Sequence, residues 1–242
     1  MGVALTLTVL GCSGSYPGPG AACSGYLVRG GGATVWLDAG SGTLANLQRH
    51  VGLGDVDAVV LSHEHPDHWS DVEGYRVACA YGLGRTGVPV YAPAGLDARL
   101  SAPPGPTFDW RVVADGDRVT VAGLGLRFSR TDHPPETLAV RIDGEGRSFA
   151  YSADTGPGWS FSALGPGIDL GLCEATYLDR SGGPPFHLSA SQAGAAAREA
   201  GVGRLLLTHL WPGLDREESR SEASAAYGGP VELARTDETY PV

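Results

Sequence analysis

Three of the chain's seven histidines fall within six positions, in the stretch DAVVLSHEHPDHW from Asp57 to Trp69, where a short apolar run passes straight into His63, His65, Asp67 and His68. No other feature constrains the fold as strongly. Side chains of this kind work together only if a rigid sheet holds the strand that carries them and if loops from neighbouring strands converge on the same point. Within HEHPDH, His63 and His65 can face one metal ion while Asp67 and His68, further along the same loop, reach a second. Imidazole combined with carboxylate suits zinc, and by ligand type alone it also suits manganese or iron.

The downstream sequence supplies partners. VVLSH ending at His63 and LLLTH ending at His209 share one form: three apolar residues, a hydroxyl residue, then histidine. LRFSRTDH ends at His133 and SFAYSAD ends at Asp154, so candidate ligands follow four separate strand-like segments. Apolar and β-branched runs place strands at Ala4 to Leu10, Gly25 to Val28, Thr34 to Leu37, Ala58 to Leu61, Val88 to Tyr91, Leu126 to Arg130, Ser148 to Ser152, Leu170 to Cys173, Arg204 to Leu207 and Val231 to Ala234. Helical patterns fall at Thr43 to His50, Ser70 to Tyr81, Ala190 to Ala200 and Arg216 to Tyr227; for the third, Ser189 and Gln192 form a capping box and Gly201 marks the end. Gly/Pro-rich stretches at Gly14 to Gly20, Ala102 to Pro106, Gly156 to Gly167 and Gly182 to Pro185 read as loops, none long enough to link domains.

Composition narrows the partners. At 242 residues and 42% hydrophobic the chain can bury a full core as one domain over 1–242, and no apolar run approaches the roughly 20 residues that span a bilayer. MGVALTLTVLG lacks a basic start and a small-residue cleavage site, which points to a cytoplasmic protein and excludes a membrane partner. Net charge is −10, and the basic residues are all arginine without a cluster, so broad electrostatic binding of nucleic acid is disfavoured though not excluded. Cys12, Cys23, Cys79 and Cys173 have no CxxC spacing and indicate neither a disulfide framework nor a thiolate zinc site.

These motifs resemble the metallo-β-lactamase fold superfamily, whose HxHxDH signature stands as His63, His65, Asp67 and His68. Its later ligands correspond to His133, Asp154 and His209, and LDAGSG with Asp38 is similar to the segment that buttresses the metal loop. Within the superfamily the chain resembles the branch of ribonuclease Z and the bacterial cyclic-nucleotide phosphodiesterases. VLGCSGSYPGP is similar to the first glycine loop of that branch, and CEATY to its HEAT loop, with Cys173 in place of histidine and Glu174 retained. HLSASQAGAAAREAGVGRLLLTH is similar to its HST segment, with His187 at the catalytic histidine. The resemblance implies an α/β fold, a four-layer αββα sandwich. It implies two divalent ions, zinc foremost: His63, His65 and His133 hold one, Asp67, His68 and His209 hold the other, and Asp154 bridges. Water bound between such cations ionises near pH 7 rather than at about 15.7, which gives a bridging hydroxide. His187 becomes the proton donor, Glu174 its orienting carboxylate, and Asp67 counts with them as catalytic. The alternative reading of His187, the weaker of the two, is a capping or solvent-facing loop residue just ahead of Ser189, and His50 reads as the polar end of a helix.

Three reactions fit such a site: hydrolysis of a cyclic 3′,5′-nucleotide such as cyclic AMP, ribonuclease Z-type trimming of transfer RNA, and acyl hydrolysis of a lactone or thioester. The ribonuclease pattern has a basic residue and an asparagine after the first glycine loop, where this chain has YPGPGAACSG. It also has a long arm between the ligand histidine and the bridging aspartate, where this chain has room for little more than a strand pair and its turn. The expected partner is therefore a small anionic phosphodiester, and the resemblance implies a homodimer.

Overall fold

The structure is a computed structural model that describes residues 4–242; the start of the N-terminal stretch read above, Met1 to Val3, lies outside the described residues. Two seven-stranded sheets face each other. The first contains β1 (Thr6–Gly11), β2 (Gly25–Gly30), β3 (Ala33–Ala39), β4 (Ala58–Val60), β5 (Val88–Ala92), β6 (Phe108–Val112) and, at the edge beside β1, β14 (Thr239–Pro241). The second contains β7 (Arg118–Val121), β8 (Leu124–Arg130), β9 (Leu138–Gly144), β10 (Arg147–Tyr151), β11 (Leu170–Glu174), β12 (Arg204–Thr208) and β13 (Val231–Leu233). Helices α1 (Thr43–Leu47), α2 (Pro66–Trp69) and α3 (Val72–Val77) cover the first sheet; α4 (Ala190–Glu199) and α5 (Arg216–Tyr227) cover the second. Among the described residues no helix is long and apolar enough to cross a membrane.

The period of two along each strand makes this a four-layer sandwich. On β12, Leu206 enters the core between the sheets while Leu205 and Leu207 face α4 and α5. On β3, Val35 and Leu37 point inward while Trp36 packs with Tyr75 of α3. Strands covered on both faces must be apolar on both faces, and VVL and LLL are.

Boundaries shift where polar groups intervene. The helix expected from Ser70 to Tyr81 starts earlier, because Pro66 occupies the first position of α2, and it breaks at Ser70–Asp71, where the Asp71 carboxylate accepts from Leu44 N at 2.8 Å. It then continues from α3 as a π-helical turn over Ala78–Leu83. β6, β7 and β14 have no counterpart in the sequence reading: all three are short edge strands, of 5, 4 and 3 residues. β9 and β10 are the strand pair anticipated between His133 and Asp154, closed by Glu145 and Gly146, both at positive φ as a tight hairpin requires. The Ser189/Gln192 capping box of α4 is present.

Candidate metal centre

Strand direction sets the site. β3, β4 and β5 are mutually parallel, as are β10, β11 and β12, and β8 runs in the same sense as β10 because both are antiparallel to β9. The segments following β4, β8, β10 and β12 carry His63 to His68, His133, Asp154 and His209, and all of them meet at one edge of the sandwich.

They meet as overlapping groups whose ligand atoms lie within 4.8 Å of one another: His63, His65, His133 and Asp154 in the first, Asp67, His68 and His209 in the second, and Asp154, His209 and His187 in a third. In the first, His65 Nδ1 stands 3.1 Å from His63 Nε2 and 3.2 Å from His133 Nε2. In the second, Asp67 Oδ2 stands 3.4 Å from His68 Nε2 and 3.3 Å from His209 Nε2. Asp154 lies between, with Oδ2 at 3.7 Å from His63 Nε2 and 3.9 Å from His133 Nε2, and Oδ1 at 3.3 Å from His68 Nε2 and 3.4 Å from His209 Nε2. One carboxylate thus turns one oxygen to each group.

The outer nitrogens show why the inner ones are free. His63 Nδ1 pairs with Ser62 Oγ at 3.0 Å, His68 Nδ1 with Asp38 Oδ2 at 2.8 Å, His133 Nδ1 with the Phe186 carbonyl at 2.8 Å, and His209 Nδ1 with Thr176 Oγ1 at 2.8 Å. Each partner can accept a proton from Nδ1 and so leaves the Nε2 lone pair aimed inward, the arrangement of metal-ligating histidines. His68 Nε2 and Asp154 Oδ1 are buried without an aligned hydrogen bond, although each approaches the other within 3.3 Å. Orphaned buried acceptors are costly in a folded protein, and a cation between them removes the cost. The donor set fits divalent metal.

Electrostatics agree. Burial pushes His63, His65 and His133 below the usual imidazole range, so they are neutral and ready to ligate. Burial also acts to lower His68 and His209, but Asp154 and Asp67 outweigh it and hold both above the usual value. Burial works to raise Asp67 and Asp154, and the histidines outweigh it in turn and hold both well below the carboxylate range. Metal uptake in the second group would therefore displace protons.

The loop geometry is enforced from behind. Asp38, fully buried, accepts from Ser62 N and Ser62 Oγ at 2.8 Å, pairs with His68 Nδ1 at 2.8 Å, and accepts from Tyr151 OH at 3.0 Å. A Cβ at Gly40 would overlap the Asp67 carbonyl oxygen, so the loop can pass only over glycine. Ser15 N donates to Asp67 Oδ2 at 2.9 Å. Asp38, Ala153 and His209 all adopt positive φ, a strain that the surrounding hydrogen bonds sustain.

Glu174 and His187 stand beside this cluster. His187 Nδ1 is 2.9 Å from Glu174 Oε1. Glu174, fully buried at the end of β11, also accepts from Thr155 N at 2.7 Å, Thr176 Oγ1 at 2.6 Å and Leu188 N at 3.2 Å. Thr176 thereby links the carboxylate to His209, a role with no mark in the sequence beyond its place in CEATY. Glu64, inside the motif, turns outward to Arg99, and His50 pairs with Asp237 on the surface.

A model of the beta-lactamase superfamily domain matches residues 33–210, which contain both ligand groups together with Asp38, Glu174 and His187. The protein Rv1339 of Mycobacterium tuberculosis is 40% identical, over 99% of this chain and 93% of its own. The probable metallo-hydrolase YhfI of Bacillus subtilis is 33% identical over 96% and 98%. The crystal structure of YhfI, a metallo-beta-lactamase fold protein, superposes with a TM-score of 0.90 at 28% identity, covering 99% of this chain and 100% of that one. Ribonuclease Z of Mycobacterium avium is 28% identical over 95% of each chain.

Proposed function

From a chain that belongs to the β-lactamase superfamily, a family of metallo-hydrolases, we propose a phosphodiesterase that holds two divalent ions, zinc foremost, and opens cyclic 3′,5′-nucleotides. The observation that carries this reading is the Glu174–His187 pair, a buried carboxylate 2.9 Å from a histidine that stands outside the two groups built on the HxHxDH motif. A ribose 3′ oxygen is a poor leaving group and needs a proton as it departs, whereas a thiolate does not. With Nδ1 committed to Glu174, His187 presents Nε2 to the leaving oxygen. Glu174 fixes the ring, while Thr155 N, Thr176 Oγ1 and Leu188 N keep the carboxylate from swinging away.

Bound divalent ions would supply Lewis-acid charge at the phosphoryl oxygens and a water that ionises near neutral pH. The chain's own part is to orient: Ser15 N and the Gly40 turn place Asp67, and Asp38 sets His68. The tight β9–β10 hairpin leaves no arm between His133 and Asp154 for gripping a large RNA, which favours a small substrate. Full-length likeness to the Mycobacterium avium ribonuclease Z keeps transfer RNA as the second reading. Kinetics at equal metal loading on cyclic AMP, bis(p-nitrophenyl) phosphate, precursor transfer RNA and a lactone test the choice. The highest kcat/KM is expected on cyclic AMP; a clear preference for precursor transfer RNA or for the lactone overturns it.

A further inference from the structure

Beside His187 lies a cavity of about 480 Å³, within the range of about 300–1,000 Å³ that small-molecule sites occupy. Its walls include Tyr177, Pro157, Gly183, Pro184 and Gln192, and His187 itself forms part of it, so one wall of the cavity is the histidine assigned to the leaving oxygen. Tyr177 is built into place rather than loose on the rim. A Cβ at Gly183 would overlap Cδ2 and Cε2 of the Tyr177 ring, so the glycine backbone lies directly against it. Trp211 braces the ring at 6.1 Å and 31°, and Tyr16 meets Trp211 edge-on at 5.5 Å. The strand-like bridge between Tyr177 and Ser189 fixes the backbone. Tyr177 and His187 stand at 81° with centroids 5.9 Å apart, so a group attached to the leaving oxygen at His187 passes along the Tyr177 ring.

The polar lining is selective. Gln192 Oε1 is occupied by Ser189 N at 2.9 Å in the capping box, which leaves the Nε2 amide as the donor. Among the described residues no arginine lines the cavity, and Asp179 does. A second phosphate would meet a carboxylate there and no cation, while a planar uncharged ring would meet an aromatic face and an amide donor. Stacking on an aromatic side chain needs no charge and accepts any base.

We infer that Tyr177 is the stacking platform for the substrate's nucleobase, seated in the cavity between Gly183 and Gln192. Tyr177 is thus a specificity-determining residue for a mononucleotide. The inference rests on the phosphodiesterase reading and deepens it.

Calorimetry on the metal-loaded protein, comparing AMP with ribose 5-phosphate, separates the two ideas. Both ligands carry the same phosphate, and only AMP carries a base. The parent should bind AMP on the order of tenfold or more tighter. Tyr177→Phe should keep that ratio, and Tyr177→Ala should bring it close to one with ribose 5-phosphate affinity unchanged. If Tyr177→Ala does not fold, Tyr177→Leu fills the same space without a ring and should lose the ratio likewise. Equal binding of the two ligands by the parent, or an undiminished ratio in Tyr177→Ala or Tyr177→Leu, overturns the base subsite and leaves the phosphodiesterase reading standing. Failure of both ligands to bind the parent, together with no phosphodiester hydrolysis, removes that reading and the subsite with it.

Discussion

Replacing Asp38 by asparagine changes one oxygen to an amide at a fully buried position, and the hydrogen bonds around it set the outcome. Asp38 Oδ1 takes only Ser62 N, a bond that asparagine keeps. At Oδ2, Ser62 Oγ, His68 Nδ1 and Tyr151 OH converge at 2.8, 2.8 and 3.0 Å, and there the variant places an NH₂ group. The two hydroxyls can rotate to accept. His68 cannot: its Nδ1 must give up its proton, which moves to Nε2 and removes the lone pair that faces Asp154 and Asp67. The loss of one charge-assisted hydrogen bond costs about 1.5–3 kcal/mol of stability, which lowers Tm by about 3–12 °C in a chain of this size. Losing the orienting partner of a metal ligand costs about 10–100-fold in affinity, or about 1.4–2.7 kcal/mol. The two estimates agree because they describe the same bond. His63 is reached from Asp38 only through Ser62, so the group of His63, His65 and His133 should keep near-parental affinity. Titrating metal-stripped parent and Asp38→Asn with zinc, followed by elemental analysis after gel filtration, reads both groups. Parental affinity throughout, or an equal loss in both groups, refutes the argument that Asp38 acts through His68.

Other perturbations probe separate parts of the site. Gly40→Ala should lower stability by about 1–3 kcal/mol and weaken metal binding at Asp67, because the new methyl would overlap the Asp67 carbonyl and stand 2.8 Å from Cys23 Cβ; an unchanged thermal melt would show that the loop can move aside. His187→Ala should cut turnover on cyclic AMP by roughly 10²–10⁴-fold with metal content intact, and much less on a nitrophenyl ester, whose leaving group needs no proton; equal effects on the two substrates would deny the proton-donor role. All four cysteines are buried, and burial raises each thiol above its usual range, Cys23 to about 12. The native protein at pH 8 should therefore leave a thiol reagent unconsumed until denaturant is added, and early reaction of any one would contradict its burial.

The meeting of the candidate ligands at one point was legible in the sequence because metal chemistry admits few residue types, and because a strand must end where its candidate ligand begins. VVLSH and LLLTH follow that rule, and His63 and His209 meet across the sandwich. What holds the ligands was far less legible. Many of the supports are backbone atoms, among them the Phe186 carbonyl behind His133, Ser15 N on Asp67, and Thr155 N and Leu188 N on Glu174, and a backbone atom leaves no residue type to notice. Tyr151 could have been found only by knowing that β10 passes beside Asp38. Edge strands escaped for a different reason: FDWRV and RVTV do alternate apolar and polar residues, but at 5 and 4 residues each is too short to stand out from the loops around it.

The local rules fail most tellingly at the site itself. Asp38, Ala153 and His209 have φ of 54°, 52° and 55°, where sequence reasoning expects glycine. Asp38 and His209 are themselves part of the constellation, so glycine would relieve the backbone and delete the function; Ala153 turns the chain just before Asp154. The strain is sustained by hydrogen bonds around each position: Asp38 Oδ2 with His68 Nδ1, His209 Nδ1 with Thr176 Oγ1, and the Asp154 backbone carbonyl accepting from Thr131 Oγ1. The backbone of the site is thus set by protein hydrogen bonds behind the cluster, while the inner faces of His68 and Asp154 keep buried atoms that a cation would satisfy.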